Sequence, residues 1–180
     1  MQVVFTTSTT CNKALLSVAR KVLTAFVFCF LCVFQAAAQK DSVRIYDPGA
    51  DAALQVQVAV DRARLENKHV ILMIGGNWCR WCLMFDKFRL ENARVDSAST
   101  AGFIWLHVNY SKENRNTALL SKLEFPQRFG FPVFVVLDGN GKRLHTQNSA
   151  YLEEGEGYSE SRVLEFLRHW CPQALLPSNY

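Results

Sequence analysis

The chain has 180 residues, 49% of them hydrophobic and 20% charged, and a formal net charge of +4. This composition is typical of a globular protein and excludes a disordered tail or a fibrous repeat. Three of the basic residues, Lys13, Arg20 and Lys21, lie within residues 1–38. Because the rest of the chain is therefore nearly neutral, the charge balance argues against a nucleic-acid partner.

Residues 1–38 have the order of regions that is typical of a secretory signal peptide. Arg20 and Lys21 supply the positive region, and an uncharged apolar run follows over residues 22–34. Three alanines at residues 36–38 then form an A-x-A cleavage site. The apolar run is shorter than the about 20 residues that a membrane-spanning helix needs. The pattern predicts cleavage after the last alanine and a secreted or periplasmic protein, and the alternative is an uncleaved membrane anchor.

Removal of residues 1–38 would reduce the number of cysteines from six to three, which are Cys79, Cys82 and Cys171. Three cysteines are too few for a scaffold held together by many disulfides. The remaining chain must therefore depend on an ordinary hydrophobic core, for which its length suffices. We expect a lead-in segment, one folded domain and a C-terminal tail, over residues 39–49, 50–171 and 172–180.

The folded domain begins with a predicted helix over residues 50–67. Apolar residues at alternate positions would also permit a strand there, but the content of Ala, Gln, Arg and Glu favours a helix. Continuous apolar runs predict three buried strands, over residues 69–74, 103–109 and 133–137. Further helices are predicted over residues 79–98, over residues 116–129 with a break at Pro126, and over residues 159–170.

A hairpin turn is predicted at residues 138–141, Asp-Gly-Asn-Gly, since glycine and asparagine tolerate positive φ. The strand that follows, over residues 143–147, should return antiparallel to the strand before it. The alternation of strands and helices earlier in the chain implies a parallel pair at the centre of the sheet. The sequence therefore predicts an α/β fold, with a central mixed β-sheet flanked by helices on both faces.

Cys79 and Cys82 form a C-x-x-C motif between a predicted strand and a predicted helix. The first turn of a helix has unpaired N–H groups and the positive end of the helix dipole, and both favour a thiolate over a thiol. This placement suits thiol–disulfide exchange, with Cys79 as the exposed attacking thiol and Cys82 as the resolving one. Arg80 adds a positive charge beside Cys79. Half of a zinc site is the alternative, but no second C-x-x-C or C-x-x-H follows residue 38.

The segment from Trp78 to Cys82 resembles the W-C-x-x-C active site of the thioredoxin superfamily. Residues 130–136, Gly-Phe-Pro-Val-Phe-Val-Val, resemble that family's segment with a cis-proline, and residues 138–142 resemble the hairpin that follows it. The resemblance covers about residues 50–171. Within the superfamily, the chain is most similar to secreted bacterial thioredoxin-like proteins that resemble the disulfide-reductase domains of thiol:disulfide interchange proteins.

The resemblance implies a thioredoxin fold and roles for the matching residues. Trp78 would flank the sulfur atoms. Pro132 would be cis and lie against the disulfide, leaving the backbone beside it free to pair with a substrate strand. We also expect Phe131 and Trp81 to contact substrate, while packing against the loop before Pro132 is the alternative for Trp81.

Two departures from the family pattern change the expected chemistry. Many thioredoxins carry a buried acidic residue six positions before the first cysteine, and this chain has Met73 there. The proton route at the resolving thiol should therefore differ or run through solvent. The dipeptide between the cysteines is Arg80-Trp81 rather than Gly-Pro, so the reduction potential cannot be carried over from thioredoxin.

Several other residues are expected to have structural roles. Trp105 and Trp170 are predicted to pack in the core. Cys171 is expected to be a partly buried, inert thiol, and a reactive thiol or an intermolecular disulfide is the alternative. The histidines for which no catalytic role is predicted are His107, His145 and His169.

Taken together, these patterns predict a secreted or periplasmic thiol–disulfide oxidoreductase that acts on cysteine-containing protein clients. We expect a monomer that needs no bound cofactor and exchanges electrons with a membrane or soluble redox partner. One alternative is a peptide-binding module with a static disulfide and a groove formed by Trp78, Trp81 and Phe131. The other is a carrier of a soft metal ion such as Cu(I), held by Cys79 and Cys82.

Overall fold

The computed structural model describes residues 44–180, so the signal peptide predicted over residues 1–38 lies outside the described residues. The α-helices are α1 (Ala52–Glu66), α2 (Arg80–Glu91), α3 (Ala93–Gly102), α4 (Thr117–Lys122) and α5 (Glu160–Trp170). The strands are β1 (His69–Gly75), β2 (Phe103–Asn109), β3 (Val133–Leu137), β4 (Arg143–Asn148), β5 (Glu153–Glu154) and β6 (Gly157–Tyr158). In residues 44–180, no helix has the length and apolar character needed to cross a membrane.

The first four strands form one mixed sheet in the order β2-β1-β3-β4. β1 runs parallel to β2 and antiparallel to β3, and β4 returns antiparallel to β3 after the predicted hairpin turn. Every residue of β1 and β3 is buried, which explains why these strands are continuous apolar runs. The mixed sheet is confirmed, but only one member of the parallel pair is central, because β2 lies at the edge.

Helices cover both faces of the sheet, as predicted, and each face has its own core. Side chains alternate along β1, so Val70, Leu72 and Ile74 lie on one face and Ile71 and Met73 on the other. The first face packs against α1 and α4, and the second packs against α2, α3 and α5. The first turn of α2 therefore belongs to the second core, together with Cys82 and Phe85.

The helix predicted over residues 79–98 is wrong as a single element, because Asn92 divides it into α2 and α3. The backbone of Asn92 is extended, with φ −88° and ψ 105°. Its side-chain oxygen accepts hydrogen bonds from the amides of Arg94 and Val95, both at 3.1 Å. Asn92 thus ends one helix and caps the next, as asparagine commonly does at a helix N-terminus.

The helix predicted over residues 116–129 is also shorter than expected. α4 ends at Lys122, and Glu124 and Phe125 both have positive φ, at 61° and 56°. Pro126 then starts a 3₁₀ turn that runs to Phe129. Pro126 therefore lies in a separate turn, since proline fits the first positions of a helical turn and not its interior.

Residues 44–49 pack onto the folded domain, although the sequence pattern suggested a lead-in. Tyr46 has only 3% of its surface exposed and belongs to the core on the second face of the sheet. The side chain of Asn77 holds this segment, since its Oδ1 accepts from the amides of Ile45 and Tyr46 at 3.0 and 3.1 Å. Its Nδ2 donates to the carbonyl of Tyr46 at 2.8 Å. The segment is thereby fixed beside the loop that joins β1 to α2.

We predict that Asn92→Ala lowers the free energy of unfolding by about 1 kcal/mol, since the substitution removes the cap of α3. It also removes the hydrogen bond from Asn92 Nδ2 to Glu160, which is 2.8 Å long. Asn92→Ser keeps a capping oxygen but loses the contact with Glu160, so it should recover most of the loss. Urea unfolding measures both variants, and wild-type stability of Asn92→Ala would contradict the capping role.

Candidate active site at the first turn of α2

The C-x-x-C motif lies where β1 ends and α2 begins. The amide of Cys79 donates to the carbonyl of Gly76 at 2.9 Å, which closes a tight turn after the strand. Cys79 is the N-cap of α2, with φ −91° and ψ 103°, and the first helical residue is Arg80. The motif therefore begins at the N-terminal end of the helix, where the sequence placed it.

Cys79 and Cys82 are joined by a disulfide, with their Cα atoms 5.2 Å apart. The amide of Cys82 also donates to Cys79 Sγ at 3.2 Å. The sulfur of Cys79 thus takes the place of a capping oxygen, which accepts from the amides that a helix leaves free at its start. No acidic residue lies in the first turn of α2. A negative charge on this sulfur would therefore be stabilised both by the amide and by the helix dipole.

The two sulfur residues differ little in exposure in the oxidised form. Cys79 has 5% of its surface exposed and Cys82 has none. Cys79 was expected to be exposed, and in the disulfide it is buried instead, because it is part of the core on the second face. The half-buried side chains of Trp81 and Phe131 pack against that core. The 5% that Cys79 keeps is nevertheless the only exposed surface of the pair.

Glycines at the end of β1 allow the unusually close approach of α2. A Cβ atom on Gly75 would overlap Cys82 Sγ and lie 2.8 Å from the hydroxyl oxygen of Tyr46. A Cβ atom on Gly76 would overlap the indole nitrogen of Trp78. Of the Gly-Gly pair that marks the end of the strand in the sequence, Gly75 therefore leaves space for the disulfide and Gly76 leaves space for Trp78.

Aromatic side chains form the exposed border of the site. Trp78 is 59% exposed, and its indole N–H donates to the carbonyl of Tyr110 at 2.7 Å. Its ring stands edge-on to Phe131, with centroids 5.3 Å apart, and Phe131 stacks on Tyr110 at 4.9 Å. A groove of about 360 Å³ lies beside this trio, which we call the aromatic border. The groove is lined by Trp78, Tyr110, Ser111, Lys112, Glu113 and Arg115.

The other residues of the predicted site lie at different positions around the disulfide. The Phe131–Pro132 peptide bond is cis, as the family resemblance implies, and Pro132 is buried immediately before β3. Trp81 is half-buried and packs edge-on against Tyr158, with centroids 5.7 Å apart. The sequence analysis expected Trp81 to contact either substrate or the loop before Pro132, and it did not predict Tyr158 as a partner. The hydroxyl of Tyr158 donates to the carbonyl of Trp81 at 3.1 Å.

Arg80 is exposed, and its side chain forms no hydrogen bond or ion pair within residues 44–180.

A buried polar cluster on the same face of the sheet could not be anticipated from the sequence. Asp86 of α2 bonds to His107 Nε2 at 2.9 Å and to the guanidinium of Arg89 at 3.1 Å. Burial alone would raise the pKa of Asp86, but hydrogen bonds and charges from His107 and Arg89 outweigh it and hold that pKa below its usual range. His107 lies opposite Met73 in the pairing of β1 with β2. This face therefore has a buried carboxylate, but α2 supplies it and the strand does not.

The core positions predicted for two tryptophans and the partial burial predicted for Cys171 are confirmed. Trp105 and Trp170 are half-buried and pack against the second core. Trp170 also stacks on His145, with centroids 4.3 Å apart. Cys171 is a free, half-buried thiol whose Sγ donates to the carbonyl of Arg168 at 3.3 Å.

Comparison with known proteins places these features in context. A family model described as thioredoxin-like matches residues 51–139. A disulphide isomerase from Xylella fastidiosa Temecula1 is 27% identical, with a TM-score of 0.62 over 70% of this chain and 95% of that one. The oxidised C-terminal domain of DsbD from Neisseria meningitidis is 21% identical, with a TM-score of 0.48 over 67% and 97% of the two chains. A thioredoxin from Thermus thermophilus is 18% identical, with a TM-score of 0.49 over 66% and 85%. A search of curated proteins gave no match.

We predict that Gly75→Ala destabilises the oxidised protein by about 1–3 kcal/mol, the usual range for overpacking a core. The added methyl group has to displace Cys82 Sγ or the hydroxyl of Tyr46. Gly157→Ala is the matched control, because a Cβ atom there meets nothing within 4 Å. Thermal unfolding of the oxidised variants measures the difference, and equal stability of the two would contradict the close approach.

We predict that Asp86→Asn lowers the free energy of unfolding at neutral pH by about 3 kcal/mol, because Arg89 loses a buried charged partner. The pKa of Asp86 is lower in the folded protein than in the unfolded chain. Its ionised form therefore stabilises the fold above the unfolded pKa of about 3.9. The difference between wild type and variant should shrink as the pH falls below that value. Urea unfolding between pH 7 and pH 2.5 measures it, and a constant difference would contradict the assignment.

Proposed function

We propose that this protein is a thiol–disulfide oxidoreductase acting on protein clients, because a thioredoxin-like family model matches residues 51–139 and its C-x-x-C pair forms a disulfide at a helix N-terminus. The observation that carries the proposal is the hydrogen bond from the amide of Cys82 to Cys79 Sγ. That bond lies at the positive end of the helix, so it favours the thiolate that attacks and leaves in disulfide exchange.

In the reducing direction the reaction has two steps. The thiolate of Cys79 attacks a client disulfide, a Cys79–client bond forms, and the second client sulfur leaves as a thiolate that takes up a proton. Cys82 then loses its proton and attacks Cys79 Sγ, which releases the first client sulfur and forms the Cys79–Cys82 disulfide. Two electrons pass from the protein to the client, and the reverse sequence oxidises a client dithiol.

The assignment of the two sulfur atoms rests on their positions. Cys79 is the N-cap and retains 5% exposure, whereas Cys82 is one turn inside the helix and fully buried. A client can therefore reach Cys79, and Cys82 can only reach a sulfur that is already bound there. Arg80, which follows Cys79, adds a positive charge at the surface. Because that charge is exposed, its effect on the thiolate should be small, on the order of 1 kcal/mol or less.

The client would bind along the aromatic border and the segment with Pro132. Trp78 offers the largest exposed apolar surface beside the sulfur atoms, and Phe131 precedes the cis-proline. A buried proline at this point, with no N–H of its own, leaves the neighbouring backbone to pair with an extended client strand. The groove beside Trp78 would accept a side chain of the client next to its cysteine.

We further propose that the protein works outside the cytoplasm, which rests on the signal-peptide pattern of residues 1–38. Because that environment favours disulfides, a reductase would need an electron donor and an oxidase an acceptor, supplied by a membrane or soluble partner. The similar structure from Xylella fastidiosa is described as a disulphide isomerase. This similarity supports thiol–disulfide exchange as the general class of activity.

We predict that Cys82→Ser accumulates mixed disulfides with cysteine-containing clients, because the resolving sulfur is missing. Cys79→Ser should accumulate almost none, since the remaining sulfur is buried. The variants are incubated with an extract of oxidised secreted proteins and the adducts are counted by non-reducing electrophoresis. Cys171→Ser, which should behave as wild type, and the double variant Cys79→Ser/Cys82→Ser control for the other cysteines.

Reduction of insulin by the wild type with dithiothreitol distinguishes the enzyme from a peptide-binding module with a static disulfide. We expect acceleration by wild type and none by Cys79→Ser. Equal trapping by the two single variants, or no acceleration of insulin reduction, would contradict the proposed function.

A further inference from the structure

The hydroxyl group of Tyr46 is buried and has no hydrogen-bond partner in the oxidised protein. Tyr46 is only 3% exposed, so solvent does not serve as a partner either. A buried donor that is left unsatisfied destabilises a protein, and most such groups are paired. Among the buried unpaired side-chain atoms of residues 44–180, this hydroxyl is the one that borders the redox-active sulfur atoms.

The hydroxyl lies beside Cys82 Sγ. A Cβ atom added to Gly75 would touch both atoms, overlapping the sulfur and lying 2.8 Å from the hydroxyl oxygen. The two atoms therefore border the same small space at the end of β1. The backbone of Tyr46 is fixed by two hydrogen bonds to the side chain of Asn77, which also accepts from the amide of the neighbouring Ile45. The hydroxyl is thus held at this position by the fold and does not depend on a contact of its own.

We propose that the Tyr46 hydroxyl donates a hydrogen bond to Cys82 Sγ when the disulfide is reduced, and that this bond stabilises the buried thiolate of the resolving cysteine. The proposal rests on the proposed function and adds a positioning and charge-stabilising residue to it. A disulfide sulfur is a weak acceptor, whereas a thiolate is a strong one because it carries a full charge. Breaking the S–S bond also frees Cys82 Sγ to turn about its Cα–Cβ bond, so that the hydroxyl gains upon reduction a partner that it lacks in the oxidised form.

The surroundings of Tyr46 make it a donor and not a base. Burial, followed by the negative charge of Asp86 and the proximity of Tyr158, raises the pKa of Tyr46 far above its usual value. Its ring also stands edge-on to His107, with centroids 5.3 Å apart. Asp86 is bonded to His107 and Arg89, so its carboxylate is already paired. Tyr46 keeps its proton throughout the reaction, and the proton of Cys82 passes to solvent or to the departing client thiolate.

The Tyr46 hydroxyl would stabilise a thiolate that has no other visible source of solvation. Cys82 has no exposed surface, so water cannot solvate its thiolate during the resolving step. Met73 of β1 belongs to the same core as Cys82, is fully buried and carries no charge or donor. A hydrogen bond from Tyr46 would lower the cost of ionising Cys82 without moving a proton through a carboxylate.

The test is Tyr46→Phe in the full chain, which removes the hydroxyl and keeps the ring. Oxidised and reduced glutathione in defined ratios set the redox state, and alkylation with peptide-resolved mass spectrometry gives the fraction of Cys79 and Cys82 that is reduced. At alkaline pH, where Cys82 of the reduced protein is ionised, we expect the equilibrium constant for reduction to fall about tenfold, which corresponds to a potential about 30 mV more negative. The fall should be smaller at neutral pH, where Cys82 keeps its proton. Oxidised Tyr46→Phe should be at least as stable as wild type, because the hydroxyl has no partner in that state.

Tyr158→Phe is the matched control. Tyr158 is also a buried tyrosine packed near the motif, but its hydroxyl already donates to the carbonyl of Trp81 in the oxidised form. Its removal should therefore weaken both redox states similarly and leave the equilibrium constant within about threefold of wild type. A purely structural effect of losing a buried hydroxyl would shift both variants alike.

A second measurement isolates the sulfur itself. In a Cys79→Ser background, the rate at which Cys82 reacts with iodoacetamide is followed against pH. Adding Tyr46→Phe should move this profile to higher pH. An unchanged equilibrium constant together with an unchanged profile would overturn the proposal. Neither measurement uses a protein client. Failure of client trapping would therefore contradict the proposed function only, and the role of Tyr46 would still be tested by the glutathione equilibrium and the alkylation profile.

Discussion

The contact between the end of β1 and the first turn of α2 is the constraint on which the site depends. Gly75 leaves just enough space for Cys82 Sγ, and no larger residue fits without displacing it. Because the helix starts directly at this contact, Cys79 becomes its N-cap and its sulfur accepts the amide of Cys82. Asn77, in the short turn between strand and helix, fixes the segment that carries Tyr46. One close approach therefore places the two sulfur atoms and the Tyr46 hydroxyl relative to one another.

The chemistry of the two sulfur atoms follows from this arrangement. A thiolate at Cys79 is stabilised by the helix N-terminus. Cys82 lies in the core, where a thiolate without a hydrogen bond is unfavourable. The strand position opposite His107 is Met73, and the buried carboxylate of this face is Asp86, on α2 and paired with Arg89. The protein thus keeps its buried charge in a closed ion cluster, which stabilises the fold, and presents a neutral hydroxyl to the resolving sulfur.

Much of the fold could be predicted because its central strands have a strong local signal. The runs over residues 103–109 and 133–137 match the observed strands at both ends. The second is apolar throughout because it is fully buried, whereas the first is an edge strand that is only partly buried at its middle. The position of the C-x-x-C motif at a helix start could also be predicted, because an apolar strand ends just before it and a helical pattern follows it. The division of α2 from α3 was not, because Asn92 is one polar residue in a helical pattern. Contacts between distant segments, such as Tyr46 with the motif or Trp81 with Tyr158, leave no periodic signal in the sequence.

The central claim is that the helix N-terminus makes Cys79 the reactive sulfur, and the most direct test compares the cysteines within one reduced protein. Iodoacetamide is added at a series of pH values, and peptide-resolved mass spectrometry gives the alkylation rate at each cysteine. We predict that Cys79 reacts much faster than Cys82 and reaches half of its maximal rate well below pH 8.5, the usual pKa of a free thiol. Cys171, which lies at the other end of a helix, is the internal reference. A rate profile at Cys79 that coincides with that of Cys171, or faster reaction at Cys82, would contradict the account.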